Sequence, residues 1–111
     1  MNFNPVTTDP KGWVLEKTGQ QVSPFDVVAG GGRQMHAVST GFSYKADEDS
    51  FGVETLDSPL IAMGERSPLN FSKAQPDLSN GVQCNLFNNS WGTNYVMWFG
   101  EDMRFRFVLR A

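Results

Sequence analysis

The sequence holds one cysteine, Cys84, and one histidine, His36, among 111 residues. A lone thiol closes no intramolecular disulfide, which excludes a disulfide-stapled scaffold. One imidazole cannot build a His-rich zinc site, and a mixed site would need carboxylates or Cys84 brought to His36 by the fold alone. A serine or cysteine nucleophile would need that same histidine beside it, and no Gly-x-Ser-x-Gly elbow occurs. His36 therefore reads as a hydrogen-bonded structural residue midway along a strand. Cys84, between Val82 and Leu86, reads as a buried thiol acting as a small hydrophobe.

Positive charge is also scarce. Nine Lys and Arg face twelve Asp and Glu, a net charge of −3, and no basic cluster exceeds the alternating Arg104, Arg106 and Arg110. Counterion release needs several clustered cations, so nucleic acid is not expected as a partner. No apolar run approaches the roughly 20 residues of a membrane helix. The start, MNFNPVTTDPKGW, lacks a basic region followed by an apolar run, so no secretory signal is expected and the location expected is cytoplasmic. Nothing calls for a cofactor. Asn70-Phe71-Ser72 and Asn88-Asn89-Ser90 match the glycosylation pattern, which matters only in a secretory compartment.

What the chain does have is aromatic residues, at 13%, together with eleven glycines and short, interrupted apolar runs. Those features suit a twisted sheet with many turns, and the expectation is one all-β domain over 1–111, a single antiparallel β-sandwich of about seven or eight strands. Residues 1–12, with Pro5 and Pro10, read as an extended lead-in. Trp13 and Leu15 begin a strand that Thr18-Gly19 ends. Pro24 to Val28 forms a second brief apolar piece, and Gly30-Gly31-Gly32 reads as a turn, since no helix follows to make a phosphate cradle. Residues 33–44 read as one long strand with a bulge at Gly41, paired through the acidic tip 45–50 with Phe51 to Leu56. The tip fails the EF-hand spacing. Leu60 to Met63, Val82 to Phe87, Asn94 to Phe99 and a last strand from Met103 to Arg110 complete the set, with an irregular stretch between Pro68 and Gly81.

Residues 81–109 are the chemically densest part of the chain, holding two of the three tryptophans and four of the nine phenylalanines. In the last strand Met103, Phe105, Phe107 and Leu109 alternate with Arg104, Arg106, Val108 and Arg110, the pattern of a half-buried antiparallel strand. Before it, Asn88, Asn89, Thr93 and Asn94 crowd around Trp91 and Trp98. Sugars offer hydroxyls to amide side chains and an apolar face to flat rings, so this composition is what a carbohydrate site requires. The same composition also arises when tryptophans are core and asparagines occupy left-handed turn positions.

From Asn85 to Leu109 the sequence resembles the C-terminal part of bacterial proteins related to glycoside hydrolase family 38, the retaining α-mannosidases. The run Asn85-Leu86-Phe87-Asn88-Asn89, then Trp91-Gly92-Thr93-Asn94, Met97-Trp98 and Arg104-Phe105-Arg106-Phe107 carries the resemblance. Phe87, Tyr95 and Val96 stand where that pattern has tyrosine, phenylalanine and proline. Weaker similarity extends through Gln75-Pro76-Asp77-Leu78, residues 54–60, His36-Ala37-Val38 and Ser23-Pro24. The resemblance implies a β-rich module whose catalytic zinc domain lies elsewhere, so the chain is expected not to be an enzyme by itself. Asn88, Asn89, Trp91, Thr93, Asn94 and Trp98 are then the expected ligand contacts, and carbohydrate or a protein partner, including a second copy of the chain, is the expected partner.

Overall fold

The computed structural model describes residues 1–66, 72–87 and 98–111. Nine strands are present among them: β1 (Asn2–Phe3), β2 (Trp13–Lys17), β3 (Gln20–Val22), β4 (Met35–Ala37), β5 (Gly41–Ala46), β6 (Asp49–Thr55), β7 (Leu60–Met63), β8 (Val82–Cys84) and β9 (Phe107–Arg110). They form two antiparallel sheets, in the orders β1-β8-β7-β4 and β3-β2-β5-β6-β9. The helical pieces among the described residues are two 3₁₀ turns, Pro10–Gly12 and Leu78–Asn80. None is long and apolar enough to cross a membrane. The all-β sandwich expected from composition is the fold observed.

Alternation explains the core. Trp13 and Leu15 on β2, Phe42 and Tyr44 on β5 and Val53 on β6 face inward from the five-stranded sheet. They meet Ile61, Met63, Val82 and Cys84 from the four-stranded one. Trp13 is fully buried and stands edge-on to Tyr44, at 5.4 Å between ring centroids, and to Phe51, at 5.5 Å. Such pairs add about 0.5–1.5 kcal/mol each beyond the apolar area they bury. The Tyr44 hydroxyl reaches the surface of this cluster and accepts from the Thr8 and Asp9 amides, both at 3.0 Å. One phenol thus ties the lead-in segment to the core.

The long strand expected over 33–44 is two strands in different sheets. The Val38 amide donates to the Pro59 carbonyl at 2.8 Å, continuing the pairing of β4 with β7. The next amide, of Ser39, donates to Glu16 on β2, also at 2.8 Å. The chain therefore changes sheets within one residue. Gly41 begins the second strand where a Cβ would collide with the Val53 carbonyl oxygen, so a side chain at 41 would push β5 off β6. The hairpin itself is real between Gly41–Ala46 and Asp49–Thr55, turning through Asp47 at φ 52°. Its outer arms bend away together and pair again as β4 and β7.

Other expectations shift at their ends. The lead-in contributes β1, whose Phe3 packs edge-on to Phe42 and Phe107. Thr18 and Gly19, at φ 51° and 81°, make a tight left-handed turn into β3, which the sequence pattern did not mark. Pro24 to Val28 is no strand. Its polar groups close local turns instead, the Asp26 amide on the Ser23 carbonyl at 2.9 Å. The strand expected to start at Met103 begins at Phe107. The reason is Asp57, whose carboxylate takes the Arg106 amide at 2.9 Å and its guanidinium at 2.8 and 2.7 Å, drawing the backbone amide onto a side chain. Leu109 sits opposite Val53 on the inward side, yet it is 68% exposed because β9 is an edge strand that β1 does not cover that far. The strand expected over 82–87 ends at Cys84. The strand expected from Asn94 to Phe99 lies mostly outside the described residues.

Candidate functional site

The one imidazole and the one thiol both have structural surroundings. His36 is 4% exposed. Its Nε2 hydrogen donates to the Arg33 carbonyl at 3.1 Å, and its Nδ1 accepts from the Lys17 ammonium at 3.3 Å, which fixes a neutral imidazole. Burial, with the Lys17 charge adding to it, holds the imidazole below its ordinary pKa. A base that faces an ammonium and a carbonyl has no direction in which to take a substrate proton. Cys84 is buried, and desolvation pushes its thiol up to about 11, so no thiolate nucleophile forms near neutrality. Among the described residues no three His, Cys, Asp or Glu side chains gather as metal ligands.

Of the six expected contact residues, Asn88, Asn89, Trp91, Thr93 and Asn94 lie outside the described residues. Trp98 is described, and it is 79% exposed rather than core. Its ring lies against Gly100 so closely that a Cβ there would fall 2.6 Å from Cζ3. The glycine is a seat for the indole, and any larger residue would dislodge the ring. Phe99 and Met103 beside it in sequence are exposed as well, and so is Phe87, just before Asn88. Isolated exposed apolar residues are ordinary, but Trp, Phe and Met are the types enriched where proteins bind something.

A second feature was missed in the sequence. Met35, Ala62, Gln83 and Asn2 stand opposite one another on neighbouring strands of the four-stranded sheet, one residue from each strand. There the Gln83 amide donates to Asn2 Oδ1 at 2.7 Å and accepts from Arg66 Nε at 3.3 Å. The three side chains border a cavity of about 440 Å³ together with Met1, Cys84, Asn85, Leu86 and Phe87. Asn2 and Gln83 are far apart in sequence, so only strand pairing reveals the chain of amides. Gln83 between Val82 and Cys84, an amide inside an apolar strand, was the one available signal.

Comparison with protein-family models, with curated proteins and with solved structures finds no match to this chain.

Proposed function

We propose that this is a non-catalytic β-sandwich module that contacts carbohydrate, in the manner of an accessory domain beside a glycoside hydrolase's catalytic domain. The observation that carries it is Trp98, an indole 79% exposed and seated on a glycine, in the segment where the family-38 resemblance is strongest. A flat ring held open to solvent suits the C–H face of a sugar, and the amide-rich sequence beside it supplies hydroxyl partners. Titration of the chain with methyl mannosides and other methyl glycosides, followed by tryptophan fluorescence and calorimetry, tests it. Saturable binding lost in Trp98→Ala, with unfolding unchanged, is the expected result. Absence of binding at millimolar sugar rejects the reading.

A second reading, self-assembly, draws on Leu109. With Phe3, Phe51 and Val53 it borders an apolar seam of about 500 Å³ between β1 and β9. Apolar seams of this kind are often closed by a second chain. Light scattering across a concentration series, on the protein and on Leu109→Lys, discriminates: a mass that doubles only in the unsubstituted chain supports the dimer.

A further inference from the structure

We infer that the cavity bordered by Asn2, Arg66, Gln83 and Phe87 receives a sugar that carries a carboxylate, of the hexuronic acid type. This rests on the carbohydrate reading and adds a ligand class and a second place for it. The cavity lies where β1 meets β8 and the chain that follows it, at about 440 Å³ roomy enough for a monosaccharide.

Its chemistry is that of donors around an aromatic wall. Gln83 is only 8% exposed and bonded on both sides, so it is a fixed strut rather than a mobile surface amide. Its Oε1 holds Arg66 by Nε. Among the described residues no carboxylate comes within ion-pair distance of Arg66; the two ion pairs present use Arg106 with Asp57 and Arg110 with Glu54. Guanidinium held by Nε presents its Nη pair as the fork that matches a carboxylate, the strongest and most directional pairing available to arginine. Asn2, whose Oδ1 is committed to Gln83, keeps its amide hydrogens for hydroxyls. Phe87 is 63% exposed and borders the same cavity, offering a ring for the sugar's apolar face. Neutral sugars would use the amides and the ring but leave the guanidinium unmatched. A free carboxylate would use the guanidinium alone.

The test is calorimetric titration of the full chain with methyl β-glucuronide and methyl β-galacturonide, against methyl β-glucoside and sodium acetate, at two salt concentrations. The same series is run on Arg66→Met and on Gln83→Leu, with thermal unfolding recorded for each. The expected result is a uronide binding about tenfold more tightly than the neutral glucoside, a preference that disappears in Arg66→Met at unchanged unfolding temperature. Gln83→Leu should reduce the preference in part, by freeing the arginine. Equal affinity for uronide and glucoside, or a preference that survives in Arg66→Met, overturns the inference while leaving the carbohydrate reading standing. Acetate that matches the uronide overturns the sugar component. Absence of binding by every glycoside rejects both the inference and the reading beneath it.

Discussion

Trp13 and Trp98 are the same side chain in opposite circumstances. Trp13 is wholly enclosed, edge-on to Tyr44 and Phe51, whereas Trp98 leaves most of its ring in water above Gly100. The first is held by neighbours on two strands of the sheet, and removing it would empty the centre of the aromatic cluster. The second rests on the Gly100 backbone and has no part in the core cluster of the described residues. Its large apolar face, left in water, is what the carbohydrate proposal draws on. The contrast separates an indole that holds the core together from one that the core does not use.

The contrast breaks first at Trp13. Trp13→Ala should cost about 3–5 kcal/mol, most or all of the stability of a domain this size, read from urea unfolding followed by circular dichroism. A loss under 1 kcal/mol, on the order expected of surface positions, would show that the cluster is not the fold's centre. Next comes the rim of the same cluster. Tyr44→Phe keeps the ring and removes the acceptor shared by the Thr8 and Asp9 amides, at an expected cost of about 1–2 kcal/mol. Amide exchange should accelerate at Thr8 and Asp9 in that variant while β5 and β6 stay protected.

The next test uses pH. His36 is neutral when folded, with its pKa lowered from 6.5 by burial first and by Lys17 second. The unfolded chain therefore binds a proton that the folded chain resists, so His36's contribution is complete above 6.5 and declines as the pH falls below it. Asp57, held down to about 2 mainly by hydrogen bonds from Arg106, contributes above its ordinary 3.8 and loses that contribution as the pH falls toward 2. Urea midpoints measured from about pH 7 down to about pH 2 should fall in two stages, the upper absent in His36→Gln and the lower weakened in Asp57→Asn. A flat upper limb in the unsubstituted protein would contradict the buried neutral imidazole. The smallest effect is expected at Trp98→Ala, within about 0.5 kcal/mol in stability, against loss of the tryptophan fluorescence response to methyl mannosides. Unfolding of that variant would make Trp98 a structural residue and leave the comparison without its second member.

Which parts were legible in the sequence follows from the range of the forces involved. Alternation at Trp13 and Leu15 and along β5 and β6 is local, and those strands were readable. The break at Ser39 was not, because its only local trace is a shift of the apolar residues from Met35 and Ala37 to Val38, Phe42 and Tyr44, while the partners of the consecutive amides, Pro59 and Glu16, lie far off in the chain. The early end of the last strand had the same origin, a distant carboxylate at Asp57 competing for the Arg106 amide. Exposure of Trp98 could not be read from composition, since tryptophan among asparagines fits a core with polar turns equally well. Arg66, Gln83 and Asn2 carried no motif; their meeting depends on β1 pairing with β8.

The corner at Val38 and Ser39 has a mechanical meaning. Two adjacent amides anchored on opposite layers work as a rivet, so one layer cannot slide along the other without tearing a hydrogen bond on each side. Force applied across the layers should meet its highest resistance there. Val38 and Ser39 should exchange their amide hydrogens at the same slow rate, each reporting the opening of both layers at once.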